Sequence, residues 1–539
     1  MKLKAGLLIL LQLVLFFAVS CSKQGNGIDK GRRSISVVIS AEPPTLNTVG
    51  SVTSIGMFIQ GHIFEGLLRY DKDNKLSPGV AKSWEITQEG VKFKLRENAK
   101  WSDGKTVTAH DFVYAWRLGA APENEYNFIM APLKNASKVA SGDLKPEELG
   151  VKAVDDFTLK VEFESPCAYF LALTTFTTYM PIRKDMFKKW GADKYAVGPE
   201  KMLYNGPFVL DEWKHGVSLK MKKNPRYWDS ESIWLNEIDI PAITNQSTTQ
   251  FNMFISQDIC MVDLVDSNSI KSALKRRLDT PMKNFSSGFI MYMEFNSREG
   301  RLTANKNLRK AISLVVNRKD IVNKVLGIPG YIPSSTLFPS WLDGESKKLH
   351  EEFDLSYKSE DPALAKEYLA KAKEELGVEE ISLDYLYSGG ETSEKMAVYI
   401  QEQLKEKLGI KLNLDKQIFK IRISKSLAGE FDFLGGGWGP DYNDPMTFGD
   451  LFASWNQNNR GRFKSEKYDA LVKQANNSID QKERMQCFYD MHKILFEEVP
   501  IFPLFEGGGI YMADPRIKNY YRNIIGADPF LTYVRIEDE

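Results

Sequence analysis

The most regular ordering of apolar and polar positions lies between residues 361 and 441. Asp361 followed by Pro362 is an N-cap with proline at the first helical position. It predicts a helix through about Leu376, stopped by Gly377. Ile381 to Tyr387 reads as a strand, and Glu391 to Leu408 as an amphipathic helix that ends at Gly409. Ile410 to Leu414 is a second strand, a further helix runs to about Gly429, and Phe431 to Leu434 is a third strand. Strands alternating with helices at this spacing predict a largely parallel sheet with helical crossovers. The last strand is expected to empty into a loop, Gly435-Gly436-Gly437-Trp438-Gly439-Pro440-Asp441. In open α/β sheets ligands bind beyond the carboxyl ends of strands, so the position alone makes this loop a functional candidate.

Earlier in the chain the period shortens to two. Val91 to Leu95, Thr158 to Phe163 and Val217 to Met221 alternate apolar and polar residues, as half-buried strands do. Thr108-Ala109-His110-Asp111 fits a capping box with Asp in place of Glu, after which Phe112, Ala115 and Trp116 share one helical face. Gly507-Gly508-Gly509, between apolar segments, is expected to be a turn or hinge-like crossing. Both periods in one chain predict a mixed α/β fold. A length of 539 residues implies two to four domains and ample core.

Charge narrows the partners. Lys plus Arg total 71 and Asp plus Glu total 71, so no net field attracts nucleic acid, and no polybasic tract marks a membrane-surface patch. The amino terminus departs from globular composition. Lys2 and Lys4 precede an apolar stretch, Ala5 to Val19, broken only by Gln12. It is too short and one-sided for a membrane span and reads as a secretion signal. It ends in Ala18-Val19-Ser20-Cys21, which resembles a bacterial lipobox with Ala18 where Leu is usual. The expectation is a signal over residues 1–20, lipid on Cys21 as a membrane anchor, and a polar tether through residue 33. Cys167, Cys260 and Cys487 are far apart without metal-ligand or redox spacing, and three buried thiols are expected, with at most one disulfide among them.

No catalytic constellation accompanies these elements. The chain carries no HExxH, Gly-x-Ser-x-Gly, Walker A or Rossmann glycine pattern, and His62, His110, His215, His350 and His492 are dispersed. The expectation is a binding protein with no metal or cofactor, not an enzyme. In the glycine-rich segment a backbone without side chains admits close approach by a ligand main chain. Trp438 adds an apolar wall and Asp441 one negative charge, a combination suited to a cationic group on an extended ligand such as a peptide amino terminus.

Several segments together resemble the oligopeptide-binding proteins of ABC importers, the family 5 extracellular solute-binding proteins. They include Phe64-Glu65-Gly66-Leu67-Leu68, Pro78 to Trp84, and above all Leu95 to Lys105 continuing through Val107 to Trp116. Asn205-Gly206-Pro207-Phe208, Lys223 to Trp228, Gly437-Trp438 and Asp441-Tyr442-Asn443-Asp444-Pro445 follow in order. The resemblance implies a type II periplasmic-binding-protein-like clamshell of two lobes plus an additional domain. By analogy one lobe combines 34–64, 191–288 and 509–539, the additional domain is 65–190, and the second lobe is 289–508. It further implies a monomeric receptor outside the cytoplasm that encloses short extended peptides and delivers them to a permease and its ATPase subunits.

On that resemblance Asp441 pairs with the peptide α-amino group, and Gly437, Trp438 and Gly439 lie along the ligand backbone. Tyr126, Tyr292 and Phe419 fall where relatives place ligand-facing aromatics, with plain core packing as the alternative. Gly435, Ser393 and Ser426 stand where a Gram-negative relative carries basic residues that receive peptide carboxylates, and Val52 where it carries a glutamate. The far end of the pocket is therefore expected to be less charged. Two alternatives stay open: a receptor of the same fold for another solute (a nickel chelate, haem, a murein peptide or a sugar), and an extracellular peptide hydrolase. A main role in signalling or adhesion is one on which the sequence is silent.

Overall fold

The computed structural model describes residues 27–538 apart from 51, 125, 265–266, 277–279 and 356–359. Cys21 and the signal segment lie outside the described residues. Three larger sheets organise the chain. The first joins Ile28–Asp29, Ser34–Ser36, Glu237–Ile240, Ser218–Lys223 and Phe208–Lys214 in that spatial order. Only the pairing of Ser34–Ser36 with Glu237–Ile240 is parallel.

The second sheet is antiparallel: Ala81–Ile86, Gly90–Leu95, Thr158–Glu162 and Val151–Asp155. The alternating runs at 91–95 and 158–163 supply its two central strands, with Val91, Phe93, Leu95, Leu159 and Val161 buried. Helix Ala109–Gly119 packs against it, and its capping box forms as expected: the Asp111 carboxylate accepts the Thr108 backbone N–H. The same carboxylate accepts the indole N–H of Trp101, so one acid fixes both the helix start and the preceding turn.

The third sheet contains the parallel run. Ser382–Ser388 lies between Lys411–Gln417 and Phe433–Trp438 and is parallel to both. The crossovers are helices Glu391–Leu408 and Phe419–Ala428, and helix Pro362–Leu376 leads in. Asp361 caps that leading helix by accepting Leu364 N–H, and Gly377 and Gly409 end two helices in the left-handed conformation. The local signals here act as the sequence predicts.

Two 13-residue strands, Lys283–Phe295 and Ile501–Ala513, extend this sheet. Lys283 to Ser286 pairs with Gly508 to Tyr511, next to strand Met261–Leu264, whereas Ile290 to Glu294 pairs with Ile501 to Glu506, next to the parallel strands. The register shifts between Ser286 and Ile290, where Gly288 has φ +71°. The chain thus crosses twice between the Met261–Leu264 end of this sheet and its parallel strands, through paired strands with a break in the ladder.

The structure corrects the loop expected at one glycine triplet and the turn that is one of two readings of the other. Gly435, Gly436 and Gly437 are not a loop; they lie inside strand Phe433–Trp438, paired with Met293, Tyr292 and Met291. Gly507 to Gly509 also lies within a strand, not a turn. Glycine is depleted in strands because it offers no side chain to pack. Here aromatic rings occupy that space: a Cβ would meet Tyr385 Oη at 2.8 Å from residue 435, Tyr292 Cε2 at 2.7 Å from 436 and Phe289 Cζ at 2.0 Å from 437.

The largest apolar cluster runs through the first two sheets and on through Tyr442, Phe448, Phe452, Tyr468 and Phe488. A separate cluster fills the parallel sheet and its helices. Cys167, Cys260 and Cys487 are buried and unpaired.

Candidate functional site

The parallel strand Phe433–Trp438 delivers its last residue to the site. Trp438 pairs across the sheet with Ile290, and the chain then turns through Gly439 and Pro440 to Asp441. One hydroxyl holds this turn: Thr447 Oγ1 accepts the Trp438 indole N–H at 3.4 Å and the Asp441 backbone N–H at 3.2 Å.

The residues after Asp441 anchor the turn from several sides. Tyr442 is buried and stacks on Tyr169. Asn443 donates its backbone N–H to the Tyr70 hydroxyl and its side-chain amide to Asn74 O. Asp444 makes a buried two-pronged ion pair with Arg484, at 2.7 and 2.8 Å, and accepts Met446 N–H at 2.9 Å. An ion pair with matched geometry and satisfied oxygens is what a charge needs in order to be buried. Asp444 therefore belongs to the frame, which leaves Asp441 as the unpaired carboxylate of the segment.

Asp441 opens onto a cavity of about 760 Å³ between two parts of the chain. One wall is Tyr126 to Ile129 with Tyr169 and Leu173; the other is Trp438, Asp441, Thr447, Asp450 and the stretch Trp455 to Asn458 with Arg460. Burial pushes the Asp441 carboxyl up to about 7. Among the described residues no cation pairs with it. Asp450 lines the same cavity and is also pushed up to about 7, by burial first and then by the charge of Asp441. A buried acid without a partner resists ionisation because the charged form loses its water. A cationic ligand group would reverse that cost.

Of the expected site residues, Tyr126, Trp438 and Asp441 converge on this cavity. Tyr126 is held by Phe176, their rings stacked 5.9 Å apart. Gly437 and Gly439 adjoin the cavity only through the chain, and both face Phe289. Tyr292 is 4% exposed, packed edge-on against Phe452 at 5.6 Å, and does not line the cavity. Phe419, at the start of its helix, is 68% exposed and also lies away from the cavity wall. Asp450 and Arg460 were not singled out from sequence. Asp450 is nine positions beyond Asp441, and only the turn made by helix Met446–Gly449 returns it to the same space.

The neutral positions named from the sequence have charged surroundings. Gly435 and Ser426 are buried and neutral, Ser393 is half-buried, and Val52 packs against the main apolar cluster. Two arginines from other positions enter the region. Arg422 donates to Gly435 O from one turn before Ser426, and Arg460 lines the cavity. Between them lies buried Glu294, pushed up to about 7 by desolvation against the opposing pull of Gly461 N–H and of Arg460, Arg422 and Arg298. The cavity thus carries acid at Asp441 and Asp450 and a cation at Arg460. Among the described residues there is no group of His, Cys, Asp and Glu that could hold a metal ion, and no helix long and apolar enough to cross a membrane.

Comparison with known proteins gives the class. Residues 75–460 match the family model of bacterial extracellular solute-binding proteins, family 5. An oligopeptide-binding protein of Bacillus subtilis is 28% identical over 530 residues, covering 94% of this chain and 95% of the relative. Among solved structures, the substrate-binding domain of an oligopeptide ABC transporter from Bacillus anthracis superposes with a TM-score of 0.77 at 32% identity, covering 94% of this chain and 99% of that one. A peptide-bound oligopeptide-binding protein from Listeria monocytogenes gives 0.76 at 29% identity, over 94% of this chain and all of its own. The chain belongs to the family 5 extracellular solute-binding proteins. Its fold is the mixed α/β, type II periplasmic-binding-protein arrangement of two lobes and an additional domain.

Proposed function

We propose that this protein is an extracytoplasmic receptor of an ABC importer that captures short peptides in extended form and performs no chemistry on them. The observation that carries the reading is Asp441, a half-buried carboxylate with no cation partner among the described residues, facing an aromatic-walled cavity. A peptide α-ammonium supplies the missing charge, and an extended main chain can run from there toward Arg460. The Bacillus and Listeria relatives, named for oligopeptide binding and in one case holding a peptide, support the same ligand class.

Capture works by closure. Lobe I is taken as 34–64, 191–288 and 509–539, the additional domain as 65–190 and lobe II as 289–508. The paired crossings at 286–290 and 507–509 then serve as the hinge, supported by the break in register and the glycines on both strands. Ligand favours the closed form only by binding it more tightly than the open one. The lipobox at Ala18 to Cys21 supports a lipid anchor that keeps the receptor at the membrane near its permease. Palmitate labelling that survives Cys21→Ser would remove that part of the reading.

Titration calorimetry with a free peptide and its N-acetylated form tests the core of the proposal. Asp441→Asn is expected to weaken the free peptide strongly and the acetylated one little. Equal losses for both, or peptide cleaved in excess of protein by mass spectrometry, overturns it.

A further inference from the structure

The amino-end charge balance in the proposed peptide site is unequal. Asp441 and Asp450 both open onto the one cavity, and the charge of Asp441 acts on Asp450. A single α-ammonium offsets one of them.

Arg460 does not supply the difference. Although it lines the cavity, it acts on neither acid: burial lowers its pKa first, and the groups that act on it are Glu294, Tyr292 and Arg462. The Asp450 carboxylate also has no evident task in the fold. It takes part in no ion pair among the described residues; its own backbone N–H, Asp441 and the rings of Tyr169 and Tyr442 are the groups near it. The structural bonds of this residue are made by its backbone: its N–H donates to Met446 O at 3.2 Å, and its carbonyl accepts Ala453 N–H at 3.1 Å and the Asn456 side-chain amide at 3.0 Å. Asparagine or alanine would preserve those bonds. A half-buried acid without an ion-pair partner is a net cost to the folded protein unless a ligand compensates it. The walls beside the two acids are Tyr126, Tyr169 and Trp438, whose ring faces attract cations.

We infer that Asp450 is a specificity-determining residue of this cavity: with Asp441 it forms a seat for two positive charges and selects peptides that begin with a cationic side chain, such as lysine or ornithine, beside the free amino group. The inference rests on the peptide reading above and adds the ligand class to it.

The test compares peptides of three and five residues that begin with lysine against the same peptides beginning with norleucine, which has the same chain length without the charge. Calorimetry on the purified full chain, stripped of co-purified ligand, is expected to give about tenfold tighter binding of the lysine peptides to the wild type. Asp450→Asn is expected to abolish that preference, bringing the lysine and norleucine peptides to equal affinity. Asp450→Glu is expected to keep it, and Asp441→Asn to weaken both series. Equal wild-type affinity for lysine and norleucine peptides, which needs no variant to measure, overturns the role of Asp450 but leaves peptide capture standing. A lysine preference that persists in Asp450→Asn does the same. Failure of every peptide to bind the wild type overturns the peptide reading and this inference together.

Discussion

Tyr169 and Tyr442 lie face to face, their ring centroids 4.8 Å apart and their planes inclined by only 8°. Tyr442 directly follows Asp441, and Tyr169 comes from the segment after the antiparallel sheet, so the stack joins the two walls of the cavity. Ring pairs of this kind contribute about 0.5–1.5 kcal/mol beyond the area they bury. Tyr169→Leu is therefore expected to weaken peptide binding about three- to tenfold in calorimetry. Tyr169→Phe, which keeps the ring, is expected to bind as wild type.

If Asp441 holds the peptide amino group as proposed, it sets binding against stability. Its folded value of about 7 lies above that of an unfolded aspartate, so the folded state holds the proton more tightly. The stability this confers is fully present below about pH 4 and is lost as pH rises through about 7. Asp441→Asn removes the loss. Without ligand it is expected to be more stable than wild type at pH 8, on the order of 2 kcal/mol in denaturant unfolding, and equal to it at pH 4.

Peptide affinity is expected to run the opposite way with pH. An ammonium binds the ionised carboxylate, so the acid must release its proton first, and affinity is expected to fall below about pH 7 by up to about tenfold per unit. Asp441 and Asp450 interact, so the profile reports the pair and not either residue alone. Calorimetry at pH 6 in buffers of different ionisation enthalpy is expected to show protons released on binding of a free peptide and few on binding of its acetylated form.

Gly437 is held small by Phe289. A Cβ at 437 would sit 2.0 Å from Phe289 Cζ and 2.7 Å from Cε1. Gly437→Ala is expected to destabilise the protein by about 1–3 kcal/mol, the usual cost of overpacking. Trimming the ring in Gly437→Ala/Phe289→Leu is expected to recover most of that in thermal melts, a coupling that a general loss of glycine flexibility would not produce.

Signals carried by a few neighbouring residues were legible in the chain. The Asp361 cap, the Thr108–Asp111 capping box and the stops at Gly377 and Gly409 depend on atoms within about one turn, so the residues that decide them are adjacent in sequence. The glycine strand was not legible, because the rings that stand in for its side chains come from positions 289, 292 and 385. The aromatic candidates divided for the same reason. Tyr126 reaches the cavity, Tyr292 is enclosed beneath Phe452, and Phe419 is left exposed, although nothing in residue type separates them.

By itself, then, the chain determined its alternation of strands and helices and its family, which rest on local spacing and an ordered set of motifs, and it offered Asp441 as a candidate. The tertiary structure alone decided that Asp444 is neutralised by Arg484 while Asp441 is not, and that Asp450 and Arg460 share its cavity. Whether a carboxylate becomes framework or ligand site depends on which charges lie within a few ångströms and how much water remains, and chain folding sets both.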